Sequence, residues 1–186
     1  MDRNTLLLEL DKLFIDDISE KIVDMVIFTP KTNEELHIAV DKWCDYNLGA
    51  LKDYGVISNW NTSLITNMED LFNDKVHFND DISNWNVSNV TNMWSMFSNA
   101  KSFNQYIGDW NVSNVEDMCD MFERATSFNQ DISNWNVSNV VYTGRMFEYA
   151  KSFNQNLEKW NVSKVEYMED MFNGTGMTVL PKWYNG

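Results

Sequence analysis

The chain is poor in the residues from which catalytic and metal sites are built. Its only cysteines, Cys44 and Cys119, lie far apart and form no metal-ligand or redox spacing. They read as ordinary reduced thiols, which favours an intracellular setting. The two histidines, His37 and His77, have no cysteine, serine or carboxylate at a recognisable catalytic spacing. No glycine loop able to cradle a phosphate and no metal-ligand cluster is present, so neither an enzyme nor a cofactor is expected. Basic residues number 14 against 28 acidic ones, giving a formal net charge of −14 and a pI near 4.3. Such a surface repels phosphate backbones and excludes nucleic acid as the expected ligand; a basic protein patch or a cation suits it better. Calcium lacks support, because the repeats described below do not carry the glycine-aspartate pattern of calcium-binding nonapeptides. No apolar run approaches the length of a membrane span. The opening MDRNTLLLELDKLFIDD has a leucine cluster soon broken by acids and no small-residue cleavage site, a poor match to a signal peptide.

What the chain has in abundance is a period. Tryptophan recurs at Trp60, Trp85, Trp110, Trp135 and Trp160, always 25 residues apart. The stretch FNQDISNWNVSNVVYTG, Phe128 to Gly144, belongs to one full beat. Phenylalanine opens the unit at Phe78, Phe103, Phe128 and Phe153, and an aliphatic residue precedes each tryptophan at Ile57, Ile82, Ile107, Ile132 and Leu157. Two valines follow, and a Met-Phe pair closes the unit, with Leu71-Phe72 as its first copy. A fixed period in this range predicts a solenoid whose units bury their apolar faces against one another.

Within the unit, FNQxI reads as a short extended segment with Phe and Ile on one face. The WNVS corner reads as a turn in which Asn and Ser bond the local backbone, and VxxMxxMF has the spacing of one or two helical turns. Ser113 with Glu116 and Ser163 with Glu166 are capping boxes for those helices. The expected fold is an α/β repeat: a leucine-rich-repeat-like right-handed solenoid with parallel short strands and a helical N-terminal cap. Residues 1–50 form that cap, 51–176 form five 25-residue repeats, and 177–186 form a C-terminal cap. Residues 4–27 fit one or two amphipathic helices. A capping box of Thr32 and Glu35 opens another, with Leu36, Ala39, Val40 and Trp43 on one face, fading around Asn47 to Gly49. The repeated asparagines, such as Asn104 and Asn129, are expected to form an amide ladder between coils. The five Asn-x-Ser sequons are one motif copied, and glycosylation is not expected.

The assembled unit, FNQDISNWNVSNVTNMxxMFxxAxxFNQ, resembles the repeat of the BspA-like leucine-rich-repeat surface proteins, known for a period of about 25 or 26 residues. The preceding TPKTNEELHIAVDKWC resembles the helix that commonly leads into such repeats. The resemblance covers residues 51 to 176. It implies a solenoid that binds proteins or adheres to surfaces without catalysis, in relatives found on bacterial surfaces, in protists and in large DNA viruses. An export signal, lipid-attachment cysteine and wall anchor of the bacterial surface form are not seen. The expectation is therefore an intracellular protein, in the cytoplasm or that of a virus-infected host, or a virion protein. Thr143 stands in place of the usual Met, Lys75 in place of the usual Ala and Asp53 in place of a Phe, so the edges and fourth unit are expected to pack less well.

Candidate binding residues are those that vary on the constant frame. Asp81 and Ser83, Tyr106 and Gly108, Asp131 and Ser133, then Asn156 and Glu158 flank the inward aliphatic residue, and strand alternation would turn them outward as one stripe. A second set, Trp94, Tyr142, Tyr149 and Tyr167, is expected on the helical side, amid acids such as Glu116, Asp120, Glu166 and Glu169. The leading expectation is a protein-binding scaffold or adaptor. The alternatives are a structural particle component that self-associates, and an exported adhesin.

Overall fold

The computed structural model describes residues 27–185. The helices expected within residues 4–27 lie almost wholly outside that range. Helix α1 is Asn33–Asp45, and Thr32 caps it as the sequence predicts: its Oγ1 accepts the Glu35 N–H at 3.1 Å. The Glu35 carboxylate reaches back to the Lys31 N–H at 2.7 Å. Leu36, Ala39, Val40 and Trp43 are its buried face. The helix ends at Asp45, just before the expected Asn47, and a second, unexpected helix, α2, follows at Asn47–Tyr54. The α1 and α2 helices lie against the first repeat. Trp43 meets Trp60 edge-on at 5.9 Å and donates its indole N–H to Asp80 at 2.9 Å, while Lys75 pairs with Asp41 at 2.8 Å. Lys75 and Asp53 thus break the repeat pattern where the helices attach, Asp53 by pairing with Lys42 of α1.

The expected parallel-strand, leucine-rich-repeat-like solenoid is not what the repeats form. Past the end of α2 and a 3-10 turn at Ile57–Asn59, the described residues of the repeats contain no strand, sheet or α-helix, only turns joined by isolated parallel bridges, Asn67 to Asn92, Asp117, Tyr142 and Tyr167 in succession. The reason lies in the backbone of VxxMxxMF. Asp70, Ser95, Asp120, Arg145 and Asp170 all have φ of 53–56°. Asp74, Asn99, Arg124 and Tyr149, four residues further on, have φ of 55–61°, and Gly174 completes that column at 70°. A left-handed residue every four positions ends any right-handed helix. The segment instead folds into overlapping tight turns, such as Met96 N–H to Met93 C=O and Ser98 N–H to Ser95 C=O. The alternate N–H groups point to the next unit: Met93, Ser95, Phe97 and Asn99 donate to Asp117, Cys119, Met121 and Glu123 at 2.7–2.9 Å. The same four bonds recur at all four junctions between successive units.

Side chains hold the same register. The indole N–H of Trp85, Trp110, Trp135 and Trp160 donates to the carbonyl of Ile57, Ile82, Ile107 and Ile132, 28 residues earlier. Phe72, Phe97, Phe122, Phe147 and Phe172 stack at 5.3–5.8 Å. Phe78, Phe103, Phe128 and Phe153 stack at 5.9 Å. Asn79, Asn104 and Asn129 accept the backbone N–H of the asparagine one unit on, at 2.8–2.9 Å. They do so at the surface, where water competes, rather than in the core. The sequon asparagines make local turns instead: Asn111 Oδ1 accepts the Ser113 N–H, so Ser113 caps no helix. Thr143, at a methionine position, is buried, and its hydroxyl lies 3.3 Å from the Tyr167 carbonyl.

Candidate functional site

The first set of candidate residues shares a column because of the 25-residue register, not because of strand alternation. Asp81, Asp131 and Asn156 are exposed, yet each turns its side-chain oxygen back onto its own chain. Their Oδ1 atoms accept the N–H of Ser83, Ser133 and Glu158, all at 2.9 Å. These are Asx turns. The N–H and hydroxyl of Ser83 hold the Asp81 carboxyl below its ordinary range, and the Ser133 hydroxyl and N–H do the same for Asp131. Tyr106 interrupts the column. It has no oxygen to close the turn; its ring lies over Gly108 and its hydroxyl donates to Asp109 at 2.9 Å. A Cβ at Gly108 would meet the Asp131 carbonyl at 2.5 Å, so glycine is needed there. Glu158 is tied to the C-terminal segment through the Lys182 N–H at 3.1 Å.

The second set lies on the flank built by the left-handed turns rather than on helices. Trp94, Tyr142, Tyr149 and Tyr167 are each 37–45% exposed. Tyr142 and Tyr167 are bridged directly, in a column where Asn67, Asn92 and Asp117 precede them. The earlier members cap the N–H two residues on, at Glu69, Trp94 and Cys119. A tyrosine cannot, and the Tyr167 ring lies over Gly144 with its hydroxyl 3.2 Å from Glu169. That bond holds the Tyr167 phenol above its ordinary range. The Trp94 indole donates to Asp120 Oδ2 at 3.1 Å, and Arg145 grips both oxygens of Asp120 at 2.8 and 2.9 Å. Asp120 is 5% exposed, so this is a charge-assisted pair with little access to water. Arg124 lies 5.7 Å from the centre of the Tyr149 ring.

Arg124 and Arg145 belong to this face although sequence reasoning did not single them out. The signal was available: they are two of only three arginines, and each stands one repeat from a partner, Arg145 from Asp120 and Arg124 from Tyr149. Elsewhere, His77 is exposed in an open groove with Cys44 and Lys75 between α1 and the first repeat. Burial pushes the thiols of Cys44 and Cys119 up to about 12. Among the described residues no group of His, Cys, Asp or Glu is placed to hold a metal ion, and no helix is long and apolar enough to cross a membrane.

A family profile described as "Mycoplasma protein of unknown function, DUF285" matches residues 48–110 and again 95–178, well over half of the chain. No curated protein and no solved structure matches significantly.

Proposed function

From the premise that the chain belongs to the DUF285 family, whose repeat is consistent with the BspA-like pattern, we propose that it is a non-enzymatic protein-binding module. Its binding face is the flank of left-handed turns. The observation that carries this reading is the gathering of Trp94, Tyr142, Tyr149 and Tyr167 with Arg124 and Arg145 on one flank of a frame that is otherwise repeated and polar outside. Aromatic residues and arginine supply most binding energy at protein interfaces, because they bury large areas at small conformational cost. Here the rings are already held by Gly144, Asp120 and Arg124, so little ordering remains to oppose binding. The column of Asp81, Asp131 and Asn156 competes poorly, since its oxygens are engaged in turns.

The test is affinity purification from the native cell with tagged full-length chain and two variants. Tyr142→Ala/Tyr167→Ala should lose the captured partner, while Asp81→Ala/Asp131→Ala should retain it. The reverse pattern moves the face to the Asx-turn column. Retention by both variants removes the proposal.

A further inference from the structure

We infer that the backbone edge of the last unit, from Glu166 to Gly174, is a second docking site that takes an extended, basic peptide segment by adding it to the stack. Along the row of left-handed turns, each inner unit accepts four backbone bonds from the unit before and donates four to the unit after. The last unit accepts in full: the carbonyls of Tyr167, Glu169, Met171 and Asn173 are taken by Thr143, Arg145, Phe147 and Tyr149. Its own outward N–H groups at Met168, Asp170 and Gly174 find no acceptor among the described residues. The Phe172 N–H lies beside the Tyr184 hydroxyl. The Glu166 carbonyl also lacks a donor there, although its counterparts Thr91, Glu116 and Val141 each accept two N–H groups from the next unit.

The apolar side chains beside this edge are uncovered in the same way. Val162, Val165 and Met168 are partly exposed, while their counterparts in the three preceding units are buried, Thr143 standing at one methionine position. The C-terminal segment covers the tryptophan side of the end and reaches this edge at Phe172. Trp183 stacks on Trp160 at 6.4 Å, and Tyr184 meets Phe172 edge-on at 5.0 Å. A row of open backbone groups beside uncovered apolar side chains is a template for an added chain.

Charge and geometry select the occupant. A second copy stacking head to tail is blocked, because α1 lies over the first repeat: Asn33 Oδ1 accepts the N–H of Thr66 and Asn67 at 3.2 and 3.3 Å. A second copy joining edge to edge would set exposed Glu166, Glu169 and Asp170 against themselves, which like charges oppose. A foreign extended segment alternating lysine or arginine with apolar residues meets both features: its carbonyls take the open N–H groups, and its cations face those carboxylates.

The probe is a labelled synthetic peptide of alternating lysine and valine, with a glutamate–valine peptide as control, titrated into the full chain by fluorescence anisotropy. The basic peptide should bind saturably and the acidic one should not. Met168→Pro removes an N–H that bonds nothing described, and should weaken binding about tenfold, the effect of one hydrogen bond. In the wild-type chain, amide exchange followed by NMR should be fast at Met168 and Asp170 and slow at Met118 and Asp120. The basic peptide should slow the first pair about tenfold. Trp94→Ala should leave peptide binding unchanged, which separates this edge from the lateral face. Undiminished binding by Met168→Pro, or unaltered exchange at Met168 and Asp170, would overturn the assignment. So would a concentration-dependent dimer that Met168→Pro abolishes, since the occupant would then be a second copy.

Discussion

Trp110 illustrates how much one repeated side chain carries. It is 4% exposed, and its indole N–H satisfies the carbonyl of Ile82 in the unit before. Trp110→Ala would open a cavity and remove one of the two bonds to that carbonyl, which keeps the Trp85 N–H at 3.1 Å. Urea denaturation should therefore show a loss of about 3–5 kcal/mol, most of it from the cavity. A loss below about 1 kcal/mol would mean that the neighbouring units close over the gap. The half-buried thiols give a residue-scale pH effect. The folded chain holds Cys44 and Cys119 protonated to about 12, against an ordinary value of 9.0. Their contribution is intact below pH 9. Above it the unfolded chain sheds protons that the folded chain keeps, so stability falls between pH 9 and about 12. Thermal melts across that range should show a shallower fall for Cys44→Ala/Cys119→Ala; an identical fall would assign the loss to other groups. At the candidate face, the exposed aromatics were legible as breaks in a constant pattern, but their setting was not. Neither Arg145 gripping Asp120 nor Tyr167 resting on Gly144 is visible until residues one repeat apart are set side by side.

Helix α1 could be read almost completely, because its signals are local: a Thr32–Glu35 cap followed by apolar residues at helical spacing. Thr32→Ala should cost about 1 kcal/mol and lower the helical signal in circular dichroism. An unchanged melting temperature would mean that packing alone holds α1. The VxxMxxMF segment misled for the opposite reason. Its apolar residues fall at helical spacing, yet that spacing here serves a chain of tight turns. The left-handed positions are filled by Asp, Ser, Asn, Arg and Tyr, and only Gly174 advertises the backbone it occupies. The competing force is non-local: four bonds to the next unit replace the bonds that a helix would have made within itself. Likewise, FNQxI keeps its Phe and Ile inside without becoming a strand, since stacked rings and asparagine side chains supply the contacts between units. Inward and outward positions were therefore legible where the backbone conformation was not.

For the whole molecule, the constant register implies interchangeable parts. Removing residues 104–128 would join Phe103 to Asn129, the residue equivalent to Asn104, and restore the backbone and asparagine bonds across the junction, while Trp94 and Arg145 lose their shared acceptor Asp120. The shortened chain should remain folded and unfold cooperatively, with a smaller urea m-value in keeping with its reduced buried surface. Loss of cooperative unfolding would show that the units are not equivalent in energy. The acidic balance of the whole chain acts at the same scale, by favouring basic partners at either proposed surface.

The bonds that join one unit to the next also determine how the chain would bear a load. Neighbours are held by a row of four backbone bonds with further ones beside it, an indole bond and stacked rings, repeated with little variation. A pull on the two ends would peel units one at a time from the weaker end, each releasing 25 residues, or roughly 80–90 Å of slack. Optical-tweezer extension should therefore show a short series of near-equal steps at similar force. A chain built this way would yield by degrees and re-form by degrees, acting as an extensible tether between whatever holds its two ends.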